Sequence, residues 1–129
     1  MKYLGIDWGE KRIGLAVGDS SAKLAVPFGV VFSLKEILKI TKEEDIEKVI
    51  VGEPKRMSGK GNLAEAFNRF VGKLKKNLNV EIELIDERLS SKAADNLMGS
   101  KKEKAPRDAV AAMIILQSYF DMKYTKKTN

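Results

Sequence analysis

The chain has no cysteine and no histidine among its 129 residues, and only three prolines. Without cysteine there is no disulfide framework and no thiolate metal site. Without histidine as well, zinc centres, haem ligation and every histidine-dependent catalytic triad lose their usual ligands and bases. No apolar run approaches the ~18 residues of a membrane span. No charged-then-apolar leader precedes the first strand pattern, so a cytoplasmic location is expected. Any catalysis must then use carboxylates, lysines, hydroxyls or water on a metal ion. What the chain does have is charge: 24 Lys and Arg against 18 Asp and Glu, a net +6 that favours polyanionic partners such as nucleic acid.

The segment Tyr3–Gly14 organises the rest. Leu4, Ile6 and Trp8 alternate with Tyr3, Gly5 and Asp7, the period-two pattern of a β-strand. Gly9-Glu10-Lys11 is a turn signal, and Ile13, Leu15 and Val17 alternate through a second strand. Asp7 thus stands near a turn, with Gly5 on the same face, where a glycine often marks close approach of a ligand or another backbone. Leu24–Phe32 reads as a third strand, and Pro27, which cannot donate to a ladder, makes it an edge. Ser33 and Glu36 form a capping box that opens a helix through Thr41. Ile46–Val51 is a short strand closed by Gly52, Glu53 and Pro54. A polar loop, Lys55–Asn62, leads into an amphipathic helix on Leu63, Ala66, Phe67, Phe70, Val71, Leu74 and Leu78, whose aromatics read as core. Val80–Ile85 is the fifth strand, with Asp86, Glu87 and Arg88 at its end. Ser90 or Ser91 caps a further helix up to Gly99, and Pro106 starts the last one. That helix presents Ala109, Val110, Met113, Ile114, Leu116, Gln117 and Phe120.

The order β-β-β-α-β-α-β-α-α, with no repeat or linker, predicts one α/β domain over residues 1–122 and a polar tail over 123–129. Right-handed crossovers make the later strands parallel to the first, giving a mixed five-stranded sheet of order 3-2-1-4-5 with strand 2 antiparallel, flanked by helices. Ligands in such sheets bind beyond the carboxyl ends of the parallel strands. Asp7 and Glu87 are both carried there. Each acid also has a plainer reading: Asp7 as a turn former, Glu87 as the partner of Arg88, and Asp108 as a complement to the helix dipole. Against the last stands the crowd of Lys101, Lys102, Lys104 and Arg107 around Asp108, which suits a carboxylate working beside phosphates.

The blocks GIDWGEKRIGLAVGD, VGEPKRMSGKGN, DERLSS and RDAVAAMIILQSY, in that order, resemble the YqgF/RuvX family over about Lys2–Asp121. The resemblance implies a ribonuclease H-like fold and a family described both as Holliday junction resolvases and as pre-16S rRNA nucleases. It implies that Asp7, Glu87 and Asp108 are the catalytic, metal-binding acids, holding Mg2+ or, on ligand chemistry, Mn2+. The expected activity is a metal-dependent phosphodiesterase on structured RNA or branched DNA, most of all in rRNA processing for ribosome biogenesis. A nucleic-acid-binding factor with little cleavage is the alternative. Arg12, Lys55, Arg56, Arg88, Lys102 and Arg107 are the candidate phosphate contacts. Asp19 falls on a family block but reads as a turn former. Glu53 stands where the family is usually apolar and is a possible fourth carboxylate. Asp7-Trp8-Gly9 also matches the phosphate loop of actin-like ATPases, but that fold needs two such domains. A monomer or weak dimer is expected, because no apolar stripe is left over after the core is assigned.

Overall fold

The computed structural model describes residues 1–54, 61–86 and 106–125. The expected helix from Ser90 or Ser91 to Gly99 lies outside these residues, as do Lys55, Arg56, Glu87, Arg88 and Lys102. The elements are β1 (Lys2–Asp7), β2 (Ile13–Asp19), β3 (Leu24–Val31), α1 (Leu34–Glu43), β4 (Lys48–Glu53), α2 (Gly61–Asn77), β5 (Glu81–Asp86) and α3 (Arg107–Thr125). The five strands form one sheet in the order β3-β2-β1-β4-β5. β2 is antiparallel to both β1 and β3, while β1, β4 and β5 run parallel.

The alternation read in β1 sorts the core into two layers. Leu4 and Ile6 face α1 and α2, joining Val49 and Val51 of β4 with Ile37, Phe67, Phe70, Val71 and Leu74. Trp8 caps that layer, its ring 5.6 Å from Phe67 and 6.2 Å from Phe70, so these aromatics are core. Tyr3 faces the other way, with Ala25, Ile50, Ile85 and the α3 residues Ile115, Leu116, Tyr119 and Phe120. α3 is buried over a wider arc than its expected face, because Ala112, Ile115 and Tyr119 are also covered. It also continues past Lys123, where a tail was expected. Tyr124 holds the last turn by packing 6.3 Å from Phe120 and lying under the Lys23 ammonium.

Local chemistry sets the edges. Ser33 accepts the Glu36 amide at 3.4 Å and donates its hydroxyl to the Glu36 carboxylate at 3.2 Å, closing the start of α1. β4 begins at Lys48, two residues later than its apolar pattern. Ile46 and Glu47 spend their amides on the Thr41 and Lys2 carbonyls, at 3.0 and 2.8 Å. β3 is an edge strand, as Pro27 requires, and its register slips so that Leu15 faces Gly29 while Ala16 faces Pro27. Phe28 is the extra residue of that bulge. Gln117 of α3 clamps the strand, accepting from Ala25 N at 2.9 Å and donating to the Lys23 carbonyl at 3.0 Å. One expectation fails here. Leu24, Val26, Phe28 and Phe32 are exposed, so apolar surface is left over on and beside the edge strand.

At the amino end of β4, Lys48 is buried, a position its polar identity did not announce. Its ammonium donates to the Tyr119 hydroxyl and lies beside the Glu83 carboxylate, both at 2.9 Å, and Tyr119 donates in turn to Glu83 at 3.1 Å. Burial alone would lower the Lys48 pKa, but its bonds to Tyr119 and Glu83 outweigh burial and hold it above its ordinary value. Burial would likewise raise Glu83, yet the Lys48 contact wins and holds that carboxyl below its ordinary range. A carboxyl depressed by folding gives stability that is present above its unfolded pKa of about 4.3 and lost as pH falls through the folded value. In denaturant titrations from about pH 7 to about pH 3, wild type is therefore expected to lose stability more steeply than Glu83→Gln. The difference at neutral pH should be no more than about 1 kcal/mol, because the Glu83 side chain is 44% exposed. Parallel curves would show that the pair contributes nothing through charge.

Candidate active site

β1, β4 and β5 end at one rim, in Asp7, Glu53 and Asp86. The turn from Trp8 to Arg12 closes over it. A Cβ on Gly9 would sit 2.6 Å from the Arg12 carbonyl oxygen, so this turn admits no side chain there. Asp7 is the direct antiparallel partner of Gly14, and directly opposed residues share a face. On that face the α3 backbone lies against Gly14. A Cβ at Gly14 would fall 1.9 Å from the Asp108 carbonyl oxygen. Gly5, two residues before Asp7, is likewise covered by Leu116 and Ala112 of α3. The two glycines let the start of α3 settle directly on the sheet, and this brings Asp108 to the side of the rim that carries Asp7.

Both acids are half-buried. Asp108 lies in the first turn of α3, whose third and fourth amides, Ala109 and Val110, both donate to the Pro106 carbonyl at 3.0 Å. Arg12 Nε donates to Asp108 Oδ2 at 2.9 Å. Among the described residues, Gly9, Lys11, Arg12 and Asp108 line a cleft of about 460 Å³ at this point. A hard-oxygen carboxylate flanked by two cations, next to the strand that ends in Asp7, suits a divalent ion and a phosphate side by side.

The expected residues divide as follows. The Asp108 backbone lies against Gly14, the strand partner of Asp7, Arg12 pairs with Asp108, and Arg107 precedes it at the start of α3. Glu87 lies outside the described residues, among which no group of three acids, histidines or cysteines could hold a metal ion. Glu53 falls on the other side of the pleat. It continues the Val49, Val51 series, on the α2 side of the sheet, while Asp7 continues the Tyr3, Gly5 series on the α3 side. The strand alternation therefore does not make Glu53 a fourth member of the Asp7 face. Asp19 acts as a turn former: its carboxylate accepts from the Ser21 amide at 2.8 Å and the Ser21 hydroxyl at 2.7 Å. The direct Arg12–Asp108 pair had no signal in the sequence, since the two residues meet only through the α3–β2 contact.

Comparison with known proteins gives this arrangement a place. The fold matches that of a Thermus thermophilus RuvC solved with a Holliday junction substrate, with a TM-score of 0.62, 17% identity and 97% of this chain and 96% of that one covered. A Fowlpox virus resolvase solved with Holliday junction DNA matches with a TM-score of 0.60 and 14% identity, over 97% of this chain and all (100%) of that one. The architecture is thus the ribonuclease H-like fold that these two resolvases share. Within it, a family model described as RuvX, Holliday junction resolvase, matches residues 1–122, and the chain belongs to that family. Relatives from Chloroflexus aurantiacus and Fusobacterium nucleatum are 38% and 39% identical. The matches cover 93% and 95% of this chain, and 86% and 98% of those proteins. Both relatives carry the name "Putative pre-16S rRNA nuclease". No described helix is long and apolar enough to cross a membrane.

Proposed function

We propose that this chain is a divalent-metal-dependent endonuclease that works in the cytoplasm on structured nucleic acid, with the 5′ end of precursor 16S rRNA as its substrate. The observation that supports the reading is the packing of the Asp108 backbone on Gly14, the strand partner of Asp7, at the carboxyl rim of the parallel strands, with Lys11 and Arg12 beside Asp108. Glu87 follows directly on Asp86, where β5 ends at this rim, and is the third acid. These three oxygen donors suit Mg2+, with Mn2+ as an alternative. A bound ion would supply Lewis acidity at a phosphodiester oxygen and activate water at neutral pH.

The chain's own residues do the rest. Asp7 and Asp108 fix donor positions on rigid elements, a strand end and a helix start. Lys11, Arg12 and Arg107, with Lys55, Arg56, Arg88 and Lys102, hold phosphates, which gives affinity and orientation but little choice of sequence. No side-chain general base is needed, in keeping with a chain that lacks histidine. The names of the relatives support RNA as substrate. The family description and the two junction complexes favour a second reading, in which the substrate is a four-way DNA junction.

The test offers a precursor 16S rRNA transcript and a four-way DNA junction to the purified chain, with Mg2+ or with chelator. Scission of the RNA, lost on chelation, is the expected result. Scission of the junction alone would transfer the proposal to the second reading. Binding of either without scission would make the chain a nucleic-acid-binding factor.

A further inference from the structure

We propose that Arg12 is an exchangeable cap on Asp108: its guanidinium holds the carboxylate until a divalent cation takes its place, and then moves to a substrate phosphate. The inference rests on the metal-site reading above and adds to it an order of events. Three observations carry it. Arg12 Nε sits 2.9 Å from Asp108 Oδ2, on the acid assigned to the metal. The two side chains are 64% and 27% exposed, so the cation approaches from solvent while the acid is held by the fold. Among the described residues, the cleft of about 460 Å³ lined by Gly9, Lys11, Arg12 and Asp108 leaves space beside the guanidinium into which it can turn.

The energetics favour exchange over a permanent bond. An ion pair with one partner largely in water is weak. A divalent ion bound by two or three carboxylates competes with it easily. Until then Arg12 offsets the charge of Asp108 at close range. Once displaced, a guanidinium offers a planar fork of donors matched to phosphate oxygens, which an ammonium does not. Metal binding and substrate binding are thereby linked through one side chain. The ion releases the group that grips the strand.

The test is calorimetric titration of Mn2+ into wild type, Arg12→Gln and Asp108→Asn, without nucleic acid. Removing a competitor should tighten Mn2+ binding by Arg12→Gln about three- to fivefold. Asp108→Asn should weaken it. In a companion binding assay with a short RNA duplex, Mn2+ should raise the affinity of wild type more than that of Arg12→Gln. Equal or weaker Mn2+ binding by Arg12→Gln would overturn the cap and make Arg12 a residue that orients Asp108. Failure of all three proteins to bind Mn2+ would instead remove the metal-site reading on which the cap depends. Thermal melts of Arg12→Gln should match wild type, since the side chain lies mostly in solvent.

Discussion

Asp7→Asn is expected to lower metal-dependent cleavage by at least about 10²–10³-fold, the scale on which one well-placed electrostatic group acts on a transition state. The substitution keeps the size and planarity of the side chain and removes only its charge. Asp7 ends β1, and the strand is held by antiparallel pairing to β2 and parallel pairing to β4, neither of which needs the carboxylate. The strand pairing, and with it the fold, should therefore be retained. Nucleic-acid binding measured without divalent metal should be preserved or slightly tighter, because a negative charge facing phosphates has gone. Single-turnover cleavage, direct binding and thermal melts on the same preparation separate the three effects. Cleavage at the wild-type rate would take Asp7 out of the mechanism, and a large loss of stability would make the cleavage result uninformative about chemistry.

The sheet was legible because its evidence is local. Period-two alternation in Tyr3–Trp8 gives both faces of β1, Pro27 makes β3 an edge, and crossover handedness does the rest. The parity of Asp7 is legible in the same way, from Tyr3 and Gly5. Glu53 shows the limit of such reading. One residue of parity separates Gly52, on the face toward α3, from Glu53 on the other, and proximity to the rim alone does not reveal it. The buried Lys48 needs Glu83 and Tyr119 from two distant elements, so nothing near it in sequence marks it as core. The late start of β4 depends on Thr41 and Lys2 capturing two amides, again a tertiary event. The site has the same character. Position on elements makes Asp7 and Asp108 candidates, but the contact that sets the Asp108 backbone against the strand partner of Asp7 runs through a missing side chain, at Gly14.

That contact makes Gly14→Ala the substitution with the largest structural effect expected here. The new Cβ would lie 1.9 Å from the Asp108 carbonyl oxygen, 2.3 Å from its carbon and 3.0 Å from the Ala109 nitrogen. All three are backbone atoms, so no rotamer change relieves the clash and the start of α3 must lift from the sheet. Overpacking of this kind costs about 1–3 kcal/mol, or a fall in melting temperature of roughly 3–12 °C for a chain of this size. Because α3 carries Asp108, the same lift should weaken Mn2+ binding although no acid has been substituted. Two other alanines calibrate the result. Gly5→Ala meets Leu116 Cβ at 2.8 Å and the Ala112 carbonyl at 3.0 Å, under the middle of the same helix, and should destabilise with less effect on the metal. Gly29→Ala, on the edge strand, meets nothing within 4 Å and should change stability by no more than about 0.5 kcal/mol. If Gly14→Ala melts and binds Mn2+ as Gly29→Ala does, α3 does not rest on β2, and Asp108 has no structural route to Asp7.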